Sequence, residues 1–384
     1  MRVEVRPAML RWARERAGLD LDTLAHRFPK LADWEEEEAH PTLKQLEDFA
    51  KATHAPIGYL FLPEPPVERI PIPDFRAPAN QRIGRPSPDL LETIYLCQQR
   101  QEWYHEFARS VREEQLPFVG GATLDSSIEN TAAEIRQRLG FDLDERRQCP
   151  TWTEALRRFI AQTDALGILV MVNGVVGSNN RRKLDPNEFR GFAISDDLAP
   201  LIFINGADTK AGQMFTLAHE MAHIWLGQSA LSDIEPVSEP TAPQPAQRVE
   251  DWCNRVAAEF LVPLAILKQE YQMGEDLRGA LDRLARRFKV STLVILRRIH
   301  DAGGLTRNQL WNAYREELDR LREIQRAGGG DFYLTLGARV GKRFARALVV
   351  STLEGQTLHR DAFRLLGFSK LATFHELAHS LGVE

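Results

Sequence analysis

The chain has 384 residues, of which 43% are hydrophobic and 27% are charged, and its formal net charge is -5. Its length predicts two to four domains, and its composition excludes a largely disordered chain. The net negative charge excludes a protein whose whole surface binds nucleic acid, although a local basic patch is allowed. Three scattered cysteines cannot build a disulfide framework and fit a reducing compartment.

The sequence indicates neither export nor membrane spanning. The N-terminus MRVEVRPAML lacks an apolar core, and no run of about 18 apolar residues occurs in the chain. We therefore expect a cytoplasmic protein without a membrane partner, whose oligomeric state these features do not predict.

The first part of the chain is predicted to be helical. Between residues 7 and 61, five short stretches carry apolar residues three or four positions apart, separated by Gly, Pro or capping residues. This pattern predicts a five-helix domain over residues 1–66. The proline-rich stretch that follows predicts an extended linker over residues 67–86.

A change of period indicates a second domain. Residues 87–163 have a helical period, whereas ALGILVMVNGVV and RGFAISDDLAPLIFING are rich in Ile, Val and Phe and predict strands. Further helical stretches follow, so we predict a domain with a small sheet over residues 87–304. A mixed α/β extension is expected over residues 305–384. The fold class is therefore α+β and mainly helical.

Two stretches carry the H-E-x-x-H spacing, which puts two imidazoles on one helix face, as zinc binding requires: His219 to His223 and His375 to His379. Apolar residues surround the first stretch in nearly every direction, so its helix is expected to be buried. Its polar groups then need a partner such as a divalent metal. The second stretch has a single apolar stripe, which leaves His375, Glu376 and His379 on the flank that faces water and indicates a chance pattern.

A third metal ligand is expected downstream of the first stretch. Glu250 lies 27 positions after His223, and Asn254 follows one helical turn later, where it can hydrogen-bond a ligating imidazole. We therefore assign zinc to His219, His223 and Glu250. Glu220 is the expected general base, which takes a proton from the water that attacks an amide carbonyl.

Alternatives to this assignment remain open. The polar residues could form a satisfied seam without metal, and Asp251 or, less favourably, Glu259 could replace Glu250 as a ligand. Cys253, one turn from Glu250, could suggest a redox switch, but a buried structural thiol is the commoner case.

The stretches QMFTLAHEMAHIWLG and VEDWCNRVAAEFLVP together resemble the ImmA/IrrE-type zinc metallopeptidases, in particular members with an N-terminal Xre-type helix-turn-helix domain. The resemblance implies a zincin-like catalytic domain that cleaves a helix-turn-helix repressor and so releases transcription of phage, mobile-element or stress genes. It covers His219, Glu220 and His223, then Glu250 and Asn254. It continues into the family's A-A-E-x-L-x-P stretch, which here comprises Ala257, Ala258, Glu259, Leu261 and Pro263.

The resemblance also implies roles that are less well marked in this chain. PLIFING falls where zincins hold an edge strand, to which an extended peptide substrate could add. Tyr271 and His300 are candidate transition-state stabilisers, and a structural role is the favoured alternative for both.

The N-terminal domain departs from the Xre pattern. Residues 1–66 contain nine Lys or Arg and twelve Asp or Glu, and Glu35 to Glu38 lie where a recognition helix should present basic residues. We therefore assign no DNA-binding residues and prefer a protein-interaction role, with DNA as a less favoured partner. A more basic stretch, LDRLARRFKVSTLVILRRI, could bind an acidic partner, but a helical pair that completes the second domain is favoured.

These features give two hypotheses of different classes. The first is a zinc-dependent endopeptidase that cleaves a repressor or an antitoxin-like protein. The second is an Xre-like transcriptional regulator or antitoxin in which the zincin domain is a sensor or scaffold without proteolysis. The first needs Glu220 and an accessible zinc, whereas the second needs a basic recognition surface.

Overall fold

The computed structural model describes residues 2–75, 86–232, 245–327 and 339–383. The chain divides into two compact units, one formed by Met1–Pro71 with Pro78–Tyr95 and the other by Ile72–Ala77 with Leu96–Glu384. The second unit includes most of the domain predicted over residues 87–304 and all of the extension predicted over residues 305–384. The division of the chain into four parts stays a prediction. Within the described ranges, no helix combines the length and apolarity needed to cross a membrane.

The first unit is built from short helical segments. They are α1 (Pro7–Arg16), α2 (Leu21–Ala25), α3 (Leu31–Glu35), α4 (Leu43–Ala52) and a 3₁₀ segment (Ile57–Phe61). Helix α4 starts with a capping box between Thr42 and Gln45. The apolar faces enclose a core around Met9, Trp12 and Phe49. The five predicted helical stretches are therefore present, and the last is a 3₁₀ segment.

Residues 29–40, where the Xre resemblance implies a recognition helix, contain only a short helix. Helix α3 has only five residues, and its Glu35 is buried against Arg14, whose guanidinium donates to both carboxylate oxygens at 2.8 and 3.0 Å. Glu36, Glu37 and Glu38 are exposed just after the helix. The acidic surface expected from the sequence thus comes from three of the four glutamates.

A small sheet organises the second unit, and helices surround it. The helices before the sheet are α5 (Pro88–Ser110), α6 (Ile128–Leu139), α7 (Leu143–Gln148) and α8 (Trp152–Ala165). The strands are β1 (Leu169–Asn173), β2 (Val175–Val176), β3 (Asn179–Lys183), β4 (Gly191–Ile194), β5 (Leu201–Asn205) and β6 (Ala230–Leu231). The later helices are α9 (Lys210–Trp225), α10 (Pro245–Leu261), α11 (Leu264–Glu270), α12 (Leu277–Phe288), α13 (Thr292–Asp301), α14 (Arg307–Ala327), α15 (Lys342–Leu353), α16 (His359–Leu366) and α17 (Leu371–Ser380).

The strand order of the sheet corrects one prediction. The order is β1-β5-β4-β6, with β1 parallel to β5 and β4 antiparallel to both β5 and β6. The PLIFING segment therefore forms an interior strand, β5, whose five residues are all buried, and the edge-strand prediction is wrong. The physical reason is that β1 and β4 pair with opposite sides of β5. Strand β6, which the loop-like composition of residues 227–248 concealed, lies beyond β4.

Helix α9 lies tightly against this sheet. Thr209 caps its first turn by accepting from the backbone N–H of Gly212, and Gly227, with φ +67°, follows its end. A Cβ atom on Gly191 of β4 would lie 2.5 Å from Thr216 Cγ2 of α9, so only glycine allows this close approach. This close contact with the sheet positions the helix that carries His219 and His223.

Three arginines hold the C-terminal end of α10. Arg136 donates to the Glu259 carbonyl, buried Arg146 donates to the Leu261 carbonyl at 2.7 Å, and Arg298 donates to the Val262 carbonyl at 2.9 Å. These carbonyl groups lack partners within the helix, and the cations also oppose the negative end of its dipole. The helix that carries Glu250 is thus anchored at the end away from that residue.

The C-terminal part is helical wherever the structure describes it. Residues 339–383 contain α15, α16 and α17 but no strand, and α14 precedes them, so the mixed α/β prediction is wrong for the described part of residues 305–384. The stretch ARALVVSTLEG belongs to the segment that was expected to be mixed. It lies in α15 instead because Phe344, Leu348 and Thr352, four positions apart, share the buried face.

The start of α15 carries a pH-dependent contact. Asp164 accepts a hydrogen bond from the Arg343 N–H at 2.9 Å, and burial raises the pKa of Asp164 to about 6. The folded chain then holds the Asp164 proton more tightly than the unfolded chain, so stability is lost as pH rises from about 4 to about 6. We expect Asp164→Asn to remove this loss, so that its free energy of unfolding relative to wild type rises by about 2–3 kcal/mol between about pH 4 and pH 7.5. Urea unfolding of both proteins at both pH values measures this, and a constant difference would contradict it.

Candidate metal centre

Three side chains from two helices meet in the interior of the second unit. His219 and His223 lie one turn apart on α9, and Glu250 lies in the first half of α10, which packs against α9. Nε2 of His219 and Nε2 of His223 are 3.1 Å apart. The Glu250 carboxylate oxygens lie 3.3 Å from Nε2 of His219 and 3.2 Å from Nε2 of His223.

These separations fit one tetrahedral zinc ion. Nitrogen and oxygen ligands bind zinc at about 2.0–2.2 Å, which puts two ligand atoms roughly 3.3–3.6 Å apart. The observed separations of 3.1 to 3.3 Å are close to that range. Among the described residues, these three form the one group of His, Cys, Asp or Glu side chains able to hold a metal ion. Two imidazoles and a carboxylate are also the donor set of a catalytic zinc site.

The surrounding residues prepare the imidazoles for this role. Asn254 Oδ1 lies 3.0 Å from Nδ1 of His219, so the imidazole donates from Nδ1 and keeps Nε2 available for a ligand. Asn254 lies one turn after Glu250, as its i+4 spacing predicted. The structure thus brings Asn254 together with His219, Glu220, His223 and Glu250.

Charges at the site favour a bound cation. Burial alone would raise the pKa of Glu250, but the imidazoles of His219 and His223 lower it to about 2, so the carboxylate is ionised. Burial lowers the pKa of His223, which keeps its imidazole neutral and able to ligate. An ionised carboxylate beside a neutral imidazole is the protonation state that a metal ion requires.

Glu220 lies beside this group and close to the Ser232 hydroxyl. The side chain is fully buried, and within the described part of the chain neither of its carboxylate oxygens accepts a hydrogen bond. Burial, and secondarily the charge of Glu250, raise the pKa of Glu220 well above its ordinary value. A seam of polar side chains without metal would leave this carboxyl unsatisfied, so the geometry favours a metal centre over that alternative.

Sequence reasoning missed Ser232, which belongs to the site. This residue follows β6, is 1% exposed, and places Oγ 3.2 Å from Nε2 of His223. Its hydroxyl therefore contacts the imidazole nitrogen of His223 that faces the other candidate ligands. The only signal in the sequence was its position nine residues after His223, within a stretch whose composition indicated a loop.

The alternative ligands occupy other environments. Asp251 is exposed, and Glu259 pairs with buried Arg298 and accepts from the Leu264 N–H at 3.2 Å. Cys253 is fully buried, and burial followed by the charge of Glu250 raises the pKa of its thiol well above the usual value. It is therefore a protonated core residue and not a redox switch.

The two candidate transition-state stabilisers have structural environments. Nδ1 of His300 lies 2.8 Å from the Leu305 carbonyl oxygen, just beyond the end of α13. Tyr271 packs against the hydrophobic core at the end of α11, and a Cβ on Gly304 would lie 2.7 Å from its ring. Both contacts support the structural alternative.

The second H-E-x-x-H stretch has a different setting. His375, Glu376 and His379 are exposed on α17, whose Phe374, Leu377 and Ala378 are buried. This is the amphipathic arrangement that the single apolar stripe predicted, and it does not require a ligand.

The basic stretch of α12 and α13 is largely neutralised by nearby acids. Arg283 pairs with Glu275, Arg287 with Glu270, and Arg297 with Asp301. Arg298 is buried against Glu259, and Lys289 lies 5.3 Å from the centre of the Trp152 ring. Arg286 is exposed. These contacts support the helical pair as a completion of the second unit.

Asn254 offers a test of the arrangement around His219. We expect Asn254→Ala to weaken zinc binding by about 10–100-fold, because the imidazole loses the hydrogen bond that orients it. Competition with a zinc chelator of known affinity measures this. Asn254→Asp, which keeps an acceptor oxygen, should restore most of the affinity, and equal zinc affinity in Asn254→Ala and wild type would contradict the role.

Comparison with known families agrees with this geometry. Residues 163–300 match the model described as IrrE N-terminal-like domain (Peptidase_M78), a zincin-like metallopeptidase family, which supports the resemblance to ImmA/IrrE-type peptidases. The matched stretch contains all five assigned residues. Residues 340–380 match a domain of unknown function (DUF8813). Neither match covers residues 1–66, whose Xre-type assignment stays a prediction. No curated protein and no solved structure matches the chain.

Proposed function

We propose that this chain is a zinc-dependent endopeptidase that cleaves a regulatory protein, either a helix-turn-helix repressor or an antitoxin-like partner. The observation that carries the proposal is the convergence of His219, His223 and Glu250 at 3.1 to 3.3 Å with Glu220 beside them. The match of residues 163–300 to a peptidase family supports the same chemistry.

The chain's own residues have separate tasks in this reaction. His219, His223 and Glu250 would hold the zinc. When bound, zinc supplies a Lewis acid that polarises a carbonyl oxygen and makes water nucleophilic at neutral pH. Glu220 accepts a proton from the attacking water and then passes it to the nitrogen of the leaving amine. Asn254 keeps the His219 imidazole in the required tautomer.

The environment of Glu220 suits this proton transfer. A carboxyl with a raised pKa is a stronger base once ionised, and general bases work best when their pKa lies near the working pH. Burial on an otherwise apolar helix excludes competing water from the carboxylate.

The regulatory substrate is the part of the proposal that rests on resemblance. ImmA/IrrE-type peptidases cleave helix-turn-helix repressors, and the motifs around His219 and Glu250 resemble theirs. An acidic first unit supports a protein-interaction role in substrate recognition over operator binding.

The proposal is tested by comparing protein N-termini in bacterial cells that express either wild type or Glu220→Gln, together with the genes that flank its own. New N-termini inside a helix-turn-helix or antitoxin-like protein, present only with wild type, are expected. A zinc-loaded wild-type protein that generates no new N-termini would favour the regulator hypothesis, in which the zincin domain is a sensor or scaffold.

A further inference from the structure

The outer edge of β6 is paired with a segment from the predicted linker. Leu231 donates its N–H to the Pro73 carbonyl at 2.8 Å and accepts from the Phe75 N–H at 2.9 Å. Asp74 therefore stands opposite Leu231 in a parallel bridge, and Ile72 is buried just before it. We name residues 72–75 the strap. The edge of the sheet beside the candidate metal centre is thus occupied by an extended peptide.

The strap also places an aromatic ring at the site. The ring of Phe75 lies 6.1 Å from the ring of His223, measured between centroids, and Phe75 packs half-buried against the main core. Ser232 follows β6 directly in the chain, and its hydroxyl contacts the same imidazole. A side chain in the position of Phe75 therefore lies next to a proposed zinc ligand.

The pairing is short within the described residues. In the part of the chain that the structure describes, one bridge with two backbone hydrogen bonds joins the strap to β6. Pro71 and Pro73 have no N–H group, so the strap cannot extend the ladder towards its N-terminal side. A peptide without these prolines can make more backbone hydrogen bonds to this edge than residues 72–75 make.

We propose that the outer edge of β6 is the peptide-binding surface of the enzyme, that the strap occupies it in the resting chain, and that substrate must displace the strap. This inference rests on the proposed peptidase function. The partner it fits is an extended segment of a protein substrate that pairs with Leu231 and puts an aromatic or large apolar side chain beside His223. The pairing provides affinity through the backbone, and the Phe75 position provides selectivity through a side chain.

The test uses the hexapeptide Ile-Pro-Ile-Pro-Asp-Phe, the sequence of residues 70–75, with an N-terminal fluorescein. Its binding is measured by fluorescence anisotropy to the full, zinc-loaded chain carrying Glu220→Gln, with and without Phe75→Ala. We expect binding at least tenfold tighter when Phe75→Ala is present, because the strap then competes less well. Phe75→Pro, which also removes the N–H donor, should bind the peptide at least as tightly.

Controls separate this effect from a general change in the protein. Phe368→Ala, at another half-buried aromatic in the same unit, should leave peptide binding unchanged. A peptide with alanine in place of phenylalanine should bind at least tenfold more weakly. Equal affinity with and without Phe75→Ala, or no binding to any variant, would overturn the proposal. If Phe75→Ala unfolds, Phe75→Leu gives the same comparison with a smaller expected change.

The proposed function can fail without this inference failing. Zinc content and cleavage are measured on wild type, whereas peptide binding is measured on the Glu220→Gln chain. A protein that binds the peptide as expected but cleaves nothing would reject the peptidase and keep the peptide-binding edge. A protein that cleaves substrate but binds the peptide equally with and without Phe75→Ala would do the reverse.

Discussion

Glu220→Gln is expected to lower the rate of peptide-bond cleavage by about 10²–10⁴-fold, the range that a positioned general base contributes. Glutamine has nearly the same shape as glutamate but cannot accept the proton of the attacking water. Because Glu220 is not among the three converging ligands, the variant should keep its zinc. The assay is cleavage of the first substrate identified from new N-termini, with zinc measured on the same samples.

The second H-E-x-x-H stretch supplies a matched control for this variant. Glu376 occupies the same place in its pattern but is exposed on α17. Glu376→Gln should therefore cleave at the wild-type rate. A Glu220→Gln protein that retains more than roughly a tenth of the wild-type rate would remove Glu220 from the role of general base.

Glu250→Ala is expected to change zinc binding and Glu259→Ala is expected to change stability, although both residues are buried on α10. Glu250→Ala removes one of three ligands and should weaken zinc binding by more than the roughly 100-fold upper limit expected for loss of the Asn254 hydrogen bond. Glu259→Ala should keep the zinc but lose about 2–3 kcal/mol of stability, because the buried Arg298 guanidinium loses one of its two carboxylate partners and keeps only Asp301.

Two measurements separate these variants. Zinc per chain is expected to fall for Glu250→Ala only. Urea unfolding is measured in excess chelator, so that lost metal does not itself change the stability, and there Glu259→Ala should be the less stable variant. Loss of zinc from Glu259→Ala with the fold intact would instead make Glu259 the third ligand.

Local patterns were sufficient to predict which side chains converge at the candidate metal centre. The buried helix around His219 could be recognised because its apolar residues point in nearly every direction, which left one polar stripe to explain. The i+4 spacing of Glu250 and Asn254 predicted that both reach α9 from one face of α10, and the structure brings them together. Each inference used residues within one helical turn, where geometry follows directly from spacing.

Features that depend on pairing between strands far apart in the sequence could not be predicted from local spacing. The edge position of β6 depends on its contacts with β4 and with residues 73–75, and a two-residue strand has no period of its own. PLIFING has the composition of a strand but does not indicate which neighbours it has, so the edge-strand prediction was wrong. Ser232 was missed for the same reason, since its approach to His223 follows from the turn back into β6.

Zinc content tests the central claim most directly. Wild type, His223→Ala and His379→Ala are purified in the same way, loaded with zinc, freed of excess metal and measured by mass spectrometry of the native protein. We predict about one zinc per chain in wild type and His379→Ala and almost none in His223→Ala, because only His223 belongs to the converging group. Wild type without zinc, or loss of zinc from His379→Ala alone, would contradict the assignment of the metal centre.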